Sequence, residues 1–219
     1  MEIAGKMITI YESEKGGAPL VLFHVVNDEG QEVYQEIKKR TEKDFTFVSV
    51  GKINWDAEMS PWEAPPVMKG DAFSGGADGY LETLEQQILP EIFRKISGNP
   101  EYMVLAGYSL AGLFSVYAAY KTELFSRLVS ASGSFWYPDF LKFVKEHEMK
   151  RQPEKIYFSL GDKEAKTRNP VLKTVEENTR WLKEHYQKMG IETIFESNPG
   201  NHFQDVSGRM AKGIAWVLE

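Results

Sequence analysis

The chain has 219 residues, the length of one α/β domain, and 42% of them are hydrophobic, enough for a sizeable core. Its 26 Lys and Arg stand against 32 Asp and Glu, a formal net charge of −6, which argues against a nucleic-acid partner gripped by its phosphates. It contains no cysteine, which excludes disulfides, thiolate metal sites and a cysteine nucleophile.

Met1-Glu2-Ile3-Ala4-Gly5-Lys6 lacks the apolar segment and cleavage site of a signal peptide. No run approaches the ~18 apolar residues of a membrane helix, so a cytoplasmic protein without a membrane partner is expected. Met7–Tyr11 reads as a first strand and Lys15–Pro19 as a turn. Leu20–Val25 is continuously apolar, the pattern of a strand buried on both faces. Gln31–Arg40 looks helical; its basic end, Lys38-Lys39-Arg40, sits among Glu36, Glu42 and Asp44 and reads as a solvated face. Phe45–Val50 is a further strand. Gly51–Ala77 then breaks the pattern with Pro61, Pro65, Pro66 and several glycines. Trp55 and Trp62 argue for an ordered loop there, either lining a site or plugging the sheet edge.

Asp78 is placed to cap a helix reaching about Ile96, with Leu81, Leu84, Ile88 and Ile92 on one stripe and a kink at Pro90. Strands follow at Tyr102–Ala106, Leu128–Ala131, Lys155–Leu160 and Ile191–Phe195, and helices at Leu110–Tyr120, Asp139–Glu148 and Phe203–Leu218. Between the last two strands, Asn169-Pro170 opens a helix whose Val171, Val175, Leu182 and Met189 face inward and which ends at Gly190. Strands alternating with helices imply βαβ units, hence one domain spanning 1–219 with a mostly parallel sheet covered on both faces.

The sharpest chemical signal is Gly107-Tyr108-Ser109-Leu110-Ala111-Gly112, between a buried strand and an apolar helix. A nucleophile elbow needs that context, and it needs small residues two before and two after the serine. There the Leu110 amide points where an oxyanion would form. A serine needs a base. Of the four histidines, His147 and His185 fall in helices among charged neighbours, and His24 ends a strand where it would orient a loop. His202 follows the last strand, at the sheet edge where parallel strands end together. The acid is expected between serine and histidine in the chain, at Glu164 or at Asp162, with Asp205 a further alternative. The second oxyanion donor is expected in His24-Val25-Val26-Asn27, at the amide of Val25 or Val26. Trp62 and Tyr108 are the candidates for substrate contact.

The elbow, Ser132-Gly133-Ser134-Phe135-Trp136, Ser159-Leu160-Gly161-Asp162-Lys163-Glu164 and His202-Phe203 together resemble the Putative esterase family, which contains esterase D and the enterochelin-type siderophore esterases. The resemblance spans about residue 20 to the end. It implies an α/β-hydrolase fold, with helices on both faces of the sheet and no large lid. It also implies hydrolysis of ester or thioester bonds of a small-molecule substrate, with Ser109 matching the nucleophile, His202 the base and Glu164 the acid. The chain departs from the family in having Val25, not glycine, after His24, which leaves the second oxyanion donor open. A silent relative that only binds a ligand, and an acyltransferase using the same acyl-enzyme, are the rival readings. No cofactor is expected, and no metal, since no two histidines have ligand spacing.

Overall fold

Strands apolar at consecutive positions need cover on both sides, and the chain supplies it from alternate helices. The computed structural model describes residues 1–26 and 29–219; Asn27, named above with the loop after His24, lies outside them. The strands are β1 (Glu2–Ile3), β2 (Lys6–Tyr11), β3 (Leu20–His24), β4 (Thr46–Gly51), β5 (Met103–Tyr108), β6 (Arg127–Ala131), β7 (Lys155–Gly161) and β8 (Glu192–Asn198). They form one sheet in the order β1-β2-β4-β3-β5-β6-β7-β8. The β1–β2 and β2–β4 pairings are antiparallel and the rest are parallel. The strand pattern in the sequence does not foresee β1; two residues carry too little alternation to register.

Side chains alternate across a strand, and the core divides accordingly. On β3 and β5, Leu20, Leu22, Met103 and Leu105 join one apolar cluster. Val21, Phe23, Val104, Ala106 and Tyr108 join the other. The first cluster is covered by α3 (Ala77–Thr83), α4 (Leu89–Phe93), α5 (Leu110–Ala118), α6 (Phe140–Glu146) and α7 (Val175–Lys188). The second is covered by α1 (Gly30–Lys38) and α8 (Val206–Leu218) through Val33, Ile37, Met210 and Ile214. Among the described residues, no helix is long and apolar enough to cross a membrane.

Two local expectations, for Asp78 and Val171, are corrected, and the one for Pro90 takes a definite form. Pro90 lacks an N–H and its ring crowds the carbonyl four residues back; the chain answers by widening Leu84–Ile88 into a π turn between α3 and α4. Asp78 is not the cap, which falls at Gly76. Its carboxylate instead accepts from Tyr117 Oη at 2.6 Å and pairs with Lys121 at 3.0 Å. Val171 does not face inward but is exposed, because Asn169 Oδ1 caps the Val171 and Leu172 amides and a 3₁₀ turn precedes α7.

The long loop is ordered by its own packing. It carries a short helix α2 (Trp55–Glu58), buries Met59 and Phe73, and is pinched by the Glu63–Ser74 bridge.

Candidate active site

β5 ends at Tyr108 and α5 begins at Leu110, leaving Ser109 alone to reverse the chain. Its φ of 58° and ψ of −123° lie where side chains other than glycine rarely go, a strain held by the surrounding packing. The turn is tight enough that a Cβ on Gly107 would collide with the Ala111 carbonyl. The Ser109 amide donates to Ala131 O at 3.1 Å, tying the elbow to β6. Leu110 N–H is the first of α5 and has no intrahelical acceptor.

The loop after β8 brings His202 to this serine. His202 Nε2 lies 3.1 Å from Ser109 Oγ, and its Nδ1 lies 2.8 Å from Glu164 Oε2. An ionised carboxylate only accepts, so Nδ1 carries the proton and Nε2 presents its lone pair to the serine hydroxyl. The Glu164 side chain is 4% exposed. Burial alone would raise its carboxyl. The His202 hydrogen bond and charge, the Gly161 amide at 2.6 Å and the Ser132 hydroxyl at 2.7 Å outweigh that and hold it below the ordinary carboxylate range. The acidic alternative Asp162 is occupied elsewhere, its Oδ1 accepting from Gly200 N at 2.8 Å. With Asp162 N donating to Asn198 O and Lys163 N to Gly200 O, this binds the loop bearing the acid to the loop bearing the histidine. Asp205 precedes α8 in a left-handed conformation, and its side chain makes no cap bond.

A buried arginine that sequence pattern alone does not single out stands behind the carboxylate. Arg209, 0% exposed, donates from Nη1 to Glu164 Oε1 at 3.1 Å and to Tyr108 Oη at 3.1 Å, and from Nη2 to Pro199 O at 3.0 Å. Tyr108 in turn donates to His202 O at 2.8 Å, with its ring centroid 5.4 Å from the imidazole. Tyr108 therefore both lines the site and holds the histidine loop. Ser134 Oγ lies 3.3 Å from Ser109 Oγ.

Two of the expected site residues are placed otherwise. The Val25 amide is spent in the sheet, donating to Val50 O at 3.0 Å, so it is not the second oxyanion donor. Trp62 turns inward: its Nε1 donates to Pro138 O, and its ring packs against Tyr117, Tyr137, Phe140 and Phe143. It plugs the loop onto α6. Of the remaining histidines, His147 is exposed and His185 half-buried. His24 is buried with Nε2 2.8 Å from Tyr80 Oη, and desolvation, reinforced by the Lys6 charge, pulls its pKa down to about 3.

Ser109 and His202 sit between two cavities. The larger, about 380 Å³, is walled by Val26, Trp55, Phe203 and Val206, with Glu29 at its edge. The smaller, about 140 Å³, is walled by Met68, Trp136, Leu172 and Val175. Phe203, 83% exposed, borders both. A cavity of about 480 Å³ lies elsewhere, beside Met103 and Arg127 where β5 and β6 begin, at the opposite edge of the sheet.

A family model described as Putative esterase matches residues 27–209. The chain belongs to that family. This esterase is thus a hydrolase of carboxylic esters, acting on a small-molecule ester. It is 22% identical over 193 residues to the uncharacterized protein YbbA of Bacillus subtilis (strain 168), covering 83% of this chain and 76% of that protein. Its fold resembles an IroE-like serine hydrolase from Shewanella oneidensis, with a TM-score of 0.79 and 17% identity over 97% of this chain and 75% of that one. It also resembles the enterobactin esterase FES of Shigella flexneri, solved in the presence of 2,3-di-hydroxy-N-benzoyl-serine. There the TM-score is 0.69 at 16% identity, over 97% of this chain and 55% of that one.

Proposed function

We propose that this esterase works through an acyl-enzyme on Ser109, with His202 as general base and Glu164 as the acid that orients it. The observation carrying this reading is the unbroken relay from Ser109 Oγ to His202 Nε2 at 3.1 Å and from His202 Nδ1 to Glu164 at 2.8 Å, built on a strained elbow. His202 takes the hydroxyl proton as Ser109 Oγ attacks the ester carbonyl. The carbonyl oxygen becomes an oxyanion facing the Leu110 amide and the positive end of α5. Collapse breaks the bond to the alcohol oxygen, which takes its proton from the imidazolium. Water, deprotonated by His202, then attacks the acyl carbonyl; Ser109 leaves with that proton and the acid is released. Glu164 stays ionised throughout, stabilising the imidazolium, and Arg209 fixes the carboxylate from behind.

Ser109→Ala is expected to fold normally and to lose at least about 10³-fold in kcat on p-nitrophenyl acetate. A fluorophosphonate probe is expected to label wild type and not the variant. Turnover near the wild-type rate in Ser109→Ala would eliminate the proposal. Wild-type protein that is folded but neither labelled nor active would favour a ligand-binding role for the same site.

A further inference from the structure

One amide in the turn after β3 is satisfied by a side chain and not by the sheet. β3 and β5 run parallel with Phe23 opposite Ala106, and counting three residues on from each arrives at Val26 and Ser109. With Val25 N–H given to Val50 O, Val26 N–H is the first amide past β3 that the sheet does not use. It donates instead to Glu29 Oε1 at 3.0 Å. Val26 and Glu29 both line the larger cavity together with Ser109 and His202. A carboxylate oxygen is a charged acceptor much like the oxyanion of a tetrahedral intermediate, and both favour the same donor.

We propose that Val26 N–H is the second oxyanion donor and that the Glu29 carboxylate is its internal placeholder, holding the amide until the substrate oxygen displaces it. This rests on the acyl-enzyme reading at Ser109. Turnover then includes an exchange: the hydrogen bond from Val26 N–H to Glu29 breaks, and one from the same N–H to the developing oxyanion forms. No proton changes owner. The placeholder keeps the amide aimed into the cavity, at the cost of competing with every substrate for it. Glu29 stands at the N-cap of α1, and its side chain makes no cap bond to that helix, so its replacement leaves α1 without a lost cap.

The test compares wild type, Glu29→Gln, Glu29→Ala and Ser109→Ala on p-nitrophenyl acetate. Removing the competitor is expected to raise the acylation burst rate and kcat/KM of Glu29→Ala by about tenfold, the order of one charge-assisted hydrogen bond no longer in the way. Glu29→Gln keeps an acceptor without its charge and is expected to fall between Glu29→Ala and wild type. Sodium acetate, offered at fixed ionic strength, is expected to inhibit Glu29→Ala by refilling the vacated donor and to leave wild type unaffected. A folded Glu29→Ala with unchanged or slower acylation, or with the same acetate response as wild type, overturns the placeholder while an inactive Ser109→Ala leaves the nucleophile standing. An active Ser109→Ala overturns both.

Discussion

At the residue scale, burial and neighbours shift the titration of individual groups, lowering both Glu164 and His24. His24 gives the cleanest consequence. Its folded pKa is about 3 against an ordinary 6.5, so between those values the unfolded chain holds a proton that the folded chain refuses. Stability is complete above the upper value and falls as the pH drops toward the lower, by about 1.4 kcal/mol per pH unit. Chemical denaturation of wild type and His24→Gln at about pH 6 and pH 5 checks this. The variant is expected to lose less on acidification, and equal slopes would remove His24 from the acid limb. Ser109 and His202 were singled out in the sequence because each falls just past an expected strand, and the same rule left Glu164 and Asp162 together after β7, a choice that only the hydrogen bonds of the folded chain separate. Arg209 was not singled out. It shares a helical stripe with Val206 and Gly213, where a solvated arginine has no place; that misplacement was the signal. Its meaning depends on a carboxylate 45 residues away in sequence. Cutting one partner from so buried a pair leaves the other charge uncompensated.

At the element scale, the elbow is what presents Ser109 to His202 between the two cavities. Its geometry tolerates no side chain at Gly107, where a Cβ would meet the Ala111 carbonyl and sit 2.7 Å from Gly112 N. Gly107→Ala is therefore expected to force the strand–helix turn open, lowering kcat by two orders of magnitude or more and destabilising the fold by roughly 1–3 kcal/mol. Thermal melts beside a p-nitrophenyl acetate assay decide it; a variant with wild-type kcat would show that the turn has slack to give. The strand-to-helix context and the small residues flanking Ser109 were readable because sterics dictate them locally. The second oxyanion donor was not, since whether Val25 or Val26 is free of the sheet depends on how far β3 stays paired with β4, and pairing length is a property of two strands together. Trp62 was left between a cavity wall and a plug for a like reason. A tryptophan in a loop can face a cavity or a core, and only the aromatic side chains of α6 decide which.

At the scale of the whole molecule, the two apolar clusters on either face of the sheet hold the carboxyl edge in place. Alternation along β3 and β5 made that division legible. The order of the strands came only with the structure, because crossovers leave no mark on the residues they join. Helix and sheet approach closely at Gly213, where a Cβ would lie 2.5 Å from the Tyr157 ring and 2.7 Å from Val129 Cγ1. Gly213→Val is expected to lift α8 off β6 and β7, costing about 1–3 kcal/mol and, since α8 carries Arg209, lowering kcat as well. Urea denaturation and an activity assay on one preparation test the coupling; lost stability with intact kcat would show that Arg209 keeps its place without the close packing.

The clamp between Asp162, Asn198 and Gly200 ties the loop of Glu164 to the loop of His202, each anchored at the end of its strand, β7 and β8. Part of the wall of the larger cavity comes from elsewhere: Val26 from the turn after β3 and Trp55 from the start of the long loop stand with Phe203 and Val206 beside His202. Those two segments belong to neither of the clamped loops. A lineage could remodel its choice of ester by mutating those outer segments, generation after generation, without retuning the chemistry at the centre.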